Sequence, residues 1–472
     1  MSVRGRTCRG GVIALAALLA LVAARPARAN PEPPANYDAR VAAMGGAAVA
    51  TANNPSALFH NPARLDQIER FAITAVATSL LVNLQAPFAG PGTEQESGLI
   101  YAPLLFLGGA GRVHERVVVG AGAYVYTGFG GGFRNVDCIA NGDPVDCEAP
   151  DSPYRIDPPA DQEVTLFVAE FAIPVQVKVH ERVSLGVTLR LPWGRQDVRA
   201  HQDINNSNPD TPFLGQAEQT LSGFGIPGVL LGVNVEPIDG LHIGLAYRSK
   251  VWVNLDGTTT TPPLVPGADP LLVDTSTRWD VPHMLRLGVA YTTWRDRLTV
   301  TGEFKIQFHD EANEAQVFEL DNPLAPDTRA EFRWKNVYFG NLAAELWALP
   351  RWPIRLGVTL ARSASEPETL TPFSPPPGIQ YGMYGGFGVL AGPLQVDMAF
   401  GWGGGPAYTR TENGALCVDA DERTEGVGAR RTLTAQGGCA GTYDVDSWFL
   451  SLSATFRLGA EEGGSESESG EP

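Results

Sequence analysis

The chain is poor in the residues around which most enzymes are built. Five cysteines, seven histidines and five methionines are spread over 472 residues. No G-x-S-x-G elbow and no H-E-x-x-H pair occurs, which excludes a nucleophile on a strand-to-helix turn and a zinc site on one helix face. A nucleophile also needs a base within reach. The histidines are scattered instead: His60 sits in an N-terminal segment and His114 and His180 at turns. Each reads as a solvated or cavity-lining side chain. The glycine-rich Gly108–Arg112 opens no helix, so a phosphate cradle is excluded as well. The expectation is a non-enzyme with no cofactor and no metal.

Basic residues are also short, with 35 Lys and Arg against 52 Asp and Glu. The N-terminus has a basic start (Arg4, Arg6, Arg9), an apolar run from Val12 to Ala24 and an Ala27-Arg28-Ala29 cleavage signature. Residues 1–29 therefore read as a secretory signal peptide rather than a retained anchor. Removing five arginines and no acids takes the net charge from −17 to −22. So acidic a chain is no partner for nucleic acid. Its acids cluster in loop-like stretches such as 143–151 and 419–425.

Four cysteines remain after the leader, in two local pairs, Cys138 with Cys147 and Cys417 with Cys439. An even count in an exported chain points to two loop-closing disulfides. The spacings do not match a zinc motif.

Beyond the leader there is no apolar run long enough for a spanning helix, yet 44% of the residues are apolar. They recur with period two. In "LTVTGEFKIQFH", Leu298, Val300, Phe304, Ile306 and Phe308 share one face, while Thr299, Thr301, Glu303, Lys305, Gln307 and His309 share the other. Strands of this kind are expected at 69–84, 98–112, 115–132, 162–180, 182–199, 216–236, 240–257, 276–292, 296–310, 330–349, 352–362, 380–391, 393–403 and 443–458. A soluble sandwich alternates too. What separates the two is the connections, which switch between tight turns and long polar loops, the outer-membrane barrel signature.

The twin "VHERV" segments at Val113–Val117 and Val179–Val183 fit as two similar tight turns. Trp193, Trp252, Trp279, Trp294, Trp347, Trp352 and Trp448 are expected in an interfacial belt. Pro174, Pro227 and Pro282 mark bulges or interrupted pairing, because proline donates nothing to a ladder. The inward set His242, Arg248, Glu303, Lys305 and Asp397 is expected to form ion pairs in a polar lumen.

Residues 30–68 are too few for a core of their own. They carry a short helix near 39–50 and turn chemistry at Asn53-Asn54-Pro55 and Asn61-Pro62. Such a segment must borrow a surface, and a barrel's inner wall offers one.

The run "GGAAVATANNPSALFHNPARL" at Gly45–Leu65, with its Asn61-Pro62-Ala63 triplet, resembles the hatch of FadL/TodX-type outer-membrane transporters of hydrophobic compounds. "GLHIGLAYRSKVWVNLDG" at Gly240–Gly257 is similar to a second family pattern. The resemblance implies an all-β transmembrane antiparallel barrel of about 14 strands with an N-terminal hatch inside the lumen. The expected divisions are 1–29 leader, 30–68 hatch, 69–458 barrel and 459–472 acidic tail. It further implies a monomer in the bacterial outer membrane, periplasmic termini, and transport of long-chain fatty acids or other hydrophobic small molecules. Release is then sideways into outer-membrane lipid at a kinked third strand. Candidate gating residues are Asn61, Pro62 and Ala63, with Phe59 and Leu65 beside them. Candidate kink residues are Gly128, Gly130, Gly131 and Gly132 in "YTGFGGGF". Two features depart from the family: Arg64 replaces a glycine after the triplet, and the acidic tail follows the last strand. The rival readings are a structural or scaffold barrel and an outer-membrane barrel enzyme.

Overall fold

A computed structural model describes residues 36–88, 90–134, 139–140, 143–144, 162–203, 214–261, 269–322, 327–414 and 438–459. The expected leader, most of the acidic tail, and Cys138, Cys147 and Cys417 lie outside these residues. Among the described residues fourteen strands close into one antiparallel barrel. Five of them are unbroken before the first interruption: β1 (Phe71–Pro87), β2 (Ile100–His114), β3 (Val117–Phe133), β4 (Gln162–His180) and β5 (Val183–Asp203). Five are each made of two pieces: β6 (Leu214–Phe224 and Gly228–Val235), β7 (Leu241–Arg248 and Val251–Thr261), β8 (Leu271–Val281 and Met284–Thr293), β9 (Leu298–Gln307 and Ala315–Leu320) and β10 (Thr328–Glu331 and Val337–Leu349). The last four are β11 (Trp352–Arg362), β12 (Ile379–Ala391), β13 (Leu394–Gly404) and β14 (Gly441–Leu458). Each pairs with its chain neighbours, and β14 pairs with β1 from Phe71↔Leu458 to Gln85↔Asp444, so no strand edge is left at the closure.

The alternation decides which way the wall faces. On β5, Leu185, Val187, Leu189 and Leu191 are 38–42% exposed, whereas Thr188 and Arg190 are fully buried. The same inversion holds on β9, where Val300 and Phe304 are exposed and Thr301, Glu303 and Lys305 buried. A soluble sandwich would bury the apolar set, because burial of apolar area is what drives its folding. A wall with an oily outside and a polar inside is a membrane barrel.

The breaks in β6 to β10 are physical consequences of sequence. Pro227 and Pro282 fall in the interruptions of β6 and β8, where the missing N–H ends the ladder. Backbone bonds bridge the gaps, among them Ser249 N–H to Val229 O (2.9 Å), Phe308 N–H to His283 O (3.0 Å) and Trp334 N–H to Asn313 O (3.2 Å). Pro174 acts differently. It stays in register with Thr188 of β5, but the ladder to β3 skips from Val119↔Val175 to Gly122↔Ala172.

Both VHERV segments form the same turn. His114 Nδ1 accepts from Arg116 N–H (3.3 Å) and His180 Nδ1 from Arg182 N–H (3.2 Å), and each turn carries a register shift beside its histidine. One belt expectation needs correction. Trp279 is 5% exposed and packs inside with Phe332 and Trp334 at ring separations of 5.8 and 6.1 Å, because position 279 falls in the inward phase of β8. Trp294, Trp352 and Trp448 are exposed.

Candidate functional site

The leading segment is held by the wall's inner face. Residues 37–52 are all buried, and their small side chains let backbone meet backbone. Helix α1 (Ala39–Ala43) is capped by Asp38, which accepts from Arg40 N–H at 3.0 Å. A second helix, α2 (Ala57–His60), leads to a 3₁₀ turn, Pro62–Gln67. Asn61 caps that turn by accepting from Ala63 N–H at 3.1 Å.

Two ion networks tie the segment to several strands. Arg40 donates to both oxygens of Glu345 (2.8 and 2.9 Å), and Glu345 also accepts from Arg355 (2.6 Å), which donates on to Asp397 (2.6 Å). Glu303 accepts from the backbone N–H groups of Ala48 and Val49 (2.7 and 2.8 Å) and from Arg286 (2.6 Å). Arg286 also reaches Gly46 O (3.0 Å) and His60 Nδ1 (3.1 Å). A guanidinium only donates, so Nδ1 is the acceptor and Nε2 carries the hydrogen given to Tyr37 O at 2.7 Å. His60 is thus neutral, and burial followed by Arg286 lowers its pKa well below the usual imidazole range. In the wall alone, Glu170 accepts from Arg190 and from Arg248 (2.8 Å). These acids and bases belong to paired, hydrogen-bonded sets, as buried charge requires. The expected inward set is found here: Arg248, Glu303, Lys305 and Asp397 are buried. The departure Arg64 donates to Ala52 O (3.1 Å) and His242 (3.2 Å).

The hatch candidates divide into three places. Asn61 donates to Val49 O (2.7 Å) and Val233 O (3.1 Å), and Pro62 and Ala63 lie on β5 and β6 at Gly186 and Gly232. A Cβ on Gly186 would fall 2.4 Å from the backbone of Pro62 and Ala63, and one on Gly232 would fall 2.1 Å from Asn61 Oδ1. Only glycine permits that approach. Phe59 lies higher, edge-on to Tyr37 and Tyr124 at 5.0 and 4.9 Å, with the Arg248 guanidinium 4.9 Å from its ring centre. Leu65 packs with Ala52, Ala57, Ile68, Ala110 and Val118 towards the short-turn end.

Two chambers lie between the segment and the long-loop end. Chamber 1 encloses about 1380 Å³, counting its open side, and is lined by Phe59, Tyr126, Trp279, Trp334, Phe339 and Phe373 among others. Its charged lining comprises Arg248, Arg286, Lys305 and Asp280 beside His309. The residues at the breaks in β8 to β10, such as Pro282, Asn313 and Phe332, form part of its wall. Chamber 2 encloses about 760 Å³, counting its open side, between the segment and the wall around β1, β2 and β10 to β14.

Between the chambers the wall has a seam. The β2–β3 ladder ends at Phe106↔Tyr124, and among the described residues nothing pairs 100–105 of β2 with 125–133 of β3. On its far side β3 slips register between Val125 and Thr127. The irregularity therefore centres on Tyr126, just ahead of the predicted Gly128, Gly130, Gly131 and Gly132. Those glycines bring β3 close to its surroundings: a Cβ on Gly128 would lie 3.0 Å from Leu166 O, and one on Gly131 2.8 Å from Leu84. The top of the seam is closed by Phe133, Leu84 and Ile100 in one apolar cluster. Leu104 of β2 lines chamber 2, while Tyr126, Thr127 and Gly128 of β3 line chamber 1.

Cys439 is buried near the long-loop end, where its carbonyl accepts from the Tyr443 hydroxyl at 2.7 Å. The expected partners and the other pair lie outside the described residues. Sequence reasoning missed Arg40, Glu170, Glu345 and Arg355, and gave Arg190 only a place on the polar face of its strand. Their signal was present, since each wall member among them is a charge in the inward phase of a largely apolar strand.

No family model and no curated protein matches the chain. Solved structures do match it. A Pseudomonas aeruginosa FadL homologue superposes with a TM-score of 0.69 at 17% identity, covering 92% of this chain and 100% of that one. The Pseudomonas putida toluene transporter TodX gives 0.64 at 14% identity, over 90% and 99% of the two chains. The Ralstonia pickettii toluene transporter TbuX gives 0.63 at 15% identity, over 90% and 99%. The chain shares the fold of these barrels over nearly its whole length.

Proposed function

We propose that the chain is an outer-membrane channel for hydrophobic compounds in which residues 30–68 act as a seated hatch, chamber 1 holds the solute, and the seam between β2 and β3 releases it sideways into the bilayer. One observation carries the reading: the two chambers reach the same unpaired stretch of wall from its two sides. The shared fold with two toluene transporters and a FadL homologue supports it. In this reading the short-turn end is periplasmic and the protein works as a monomer. Asn61, Pro62 and Ala63 seat the hatch, and the glycine run after Tyr126 gives β3 its freedom to part from β2.

Long-chain fatty acids are the first candidates for chamber 1. Aromatic side chains form much of its lining, and three cations face one acid there. Asp280 is already engaged by Lys250 at 2.6 Å, and Lys305 sits 3.7 Å from the Phe339 ring centre, between charge and oil as a carboxylate amphiphile needs. Each methylene moved from water into such a lining gains about 0.8 kcal/mol.

Leu105 and Val125 are the positions just beyond the last rung of the β2–β3 ladder. A Leu105→Cys, Val125→Cys pair should lock the seam when oxidised. Uptake of radiolabelled oleate and toluene by cells carrying the oxidised pair should fall at least tenfold and recover on reduction. Uptake unchanged by the cross-link would overturn lateral release, and uptake equal with and without the wild-type protein would overturn transport of these solutes.

A further inference from the structure

We propose that the segment Ser363–Gly378 is a lid on chamber 1 whose tip is seated on the seam strand, so that lifting the lid loosens the seam. The proposal rests on the channel reading above for its purpose, and the lid itself is argued from its packing and hydrogen bonds. The segment joins β11 to β12 at the long-loop end, where a connection ordinarily runs over the surface with its backbone in water. Here eight of the sixteen residues are buried, Leu370 completely. The two ends are tied by Ser363 N–H to Gly378 O at 2.9 Å, with Gly378 at φ +116°, which makes a closed loop of the Ω kind.

The base of the loop is fastened at the break in β10. Lys335 N–H donates to Ala364 O at 2.9 Å, and the Thr369 hydroxyl donates to Phe332 O at 2.6 Å. From there the chain crosses to the opposite wall. Leu370 and Phe373 join Leu84, Phe133 and Ile100 in the cluster that closes the top of the seam. Phe373 meets the Phe133 ring edge-on at 5.5 Å and covers Gly131, where an added Cβ would fall 2.9 Å from its ring. Thr371, Phe373, Ser374 and Pro375 also line chamber 1. One side chain thus touches both the solute space and the strand that must part from β2.

The tip is built to move as a piece. Ser374 N–H donates to Thr371 O at 2.9 Å, and Ser374 Oγ accepts from Thr371 N–H at 3.1 Å. Pro372 and Pro375 have no N–H to give the wall, and among the described residues no hydrogen bond from 371–375 leaves the tip. Apolar contact alone holds it on β3, and that contact is non-directional, so an oily solute supplies an equivalent one. With Phe373 away, Gly131 loses its cover and the cluster at the top of the seam loses a member. A glycine-rich stretch with no ladder to β2 is then free to shift.

The test reads lid and seam separately on the purified full chain, with no transport measurement, so that its failure is distinct from failure of the channel reading. Labelling of Ser374→Cys by a water-soluble maleimide, with the wild-type chain as background, follows the lid. Amide exchange of the β3 peptide spanning 125–133, followed by mass spectrometry, follows the seam. Phe373→Ala should raise both rates at least tenfold, and Phe373→Leu should raise them less. Thr369→Val acts from the far side of the lid: it removes one hydrogen bond to the β10 break and should raise both about fivefold, the worth of that bond. Contacts of Phe373 that were merely local would leave exchange in 125–133 unmoved by Thr369→Val. Folding is checked by the heat-modifiable mobility of the barrel; if Phe373→Ala does not fold, Thr369→Val still decides. Faster labelling with unchanged exchange in Thr369→Val, or both rates unchanged in Phe373→Ala, would overturn the proposal.

Discussion

Gly186→Ala puts a methyl group where the hatch backbone already is. The new Cβ would sit 2.4 Å from Pro62 C and Ala63 N and 2.8 Å from Pro62 Cβ, roughly 1 Å inside ordinary contact. Neither partner is a side-chain tip that swings away. Overpacking of this kind costs about 1–3 kcal/mol, so the ratio of seated to unseated hatch should fall about 5- to 150-fold. An unseated hatch exposes a polar lumen to water, and small hydrophilic solutes leak. Liposome swelling in arabinose reads that leak. Gly186→Ala should swell faster than wild type and Gly340→Ala should not, because a Cβ on Gly340 meets nothing within 4 Å. Gly232→Ala presses on Pro62 and Ala63 as well, and on Asn61, from the next strand, so the double variant should be less than additive. Swelling equal to wild type in both single variants, with folded barrels, would refute the idea that these residues rest on β5 and β6.

The remaining predictions concern charge and covalent closure. Glu345→Ala leaves Arg40 without a carboxylate and Arg355 with Asp397 alone, and should destabilise by about 3–5 kcal/mol, whereas Arg40→Ala leaves Glu345 its bond to Arg355 and should cost less; the temperature of the mobility shift orders them. Because the folded pKa of His60 lies below its unfolded value, its contribution to hatch docking is full above about pH 6.5 and is lost as pH falls, since the unfolded state binds the proton first. Arabinose swelling should therefore rise on acidification, and His60→Gln should flatten that dependence. Mass spectrometry of the unreduced chain should recover Cys138 with Cys147 and Cys417 with Cys439, and peptides crossing between the pairs would exclude loop-closing bridges.

The barrel was legible because its rule is short. Alternation with period two survives single sequences, and each of the fourteen expected segments coincides with one wall strand. The breaks were half legible: Pro227 and Pro282 announced two of them, but those at Ser249-Lys250, 308–314 and 332–336 carry no proline. They arise because neighbouring strands must step together once one ladder is interrupted. Trp279 was misplaced for a related reason. Its position near a strand end suggested the interface, and only the phase of β8 shows that it points inward. Nothing in the sequence singles out the glycines at 186 and 232, since a contact between segments more than a hundred residues apart leaves no local mark.

The charge arrangement bears on the proposed sideways release. The leading segment and the wall are joined by Arg40, Glu345, Arg355 and Asp397 on one side and by Arg286, Glu303 and His60 on the other, with Arg286 also lining chamber 1. Nearer the short-turn end, Arg112 donates to the carbonyls of Asp66, Ile68, Glu69 and Glu115. An oily solute moving straight through would have to part buried ion pairs while giving up its own contacts, and breaking even one such pair costs several kcal/mol. The sideways path asks for less. At the seam no ladder pairs 100–105 with 125–133, and a solute leaving by the proposed route would exchange Leu104 and Tyr126 for lipid of similar polarity. On the proposed reading, the same comparison would let a barrel with a polar interior serve apolar cargo: the ion pairs would hold the hatch while the solute left through the seam.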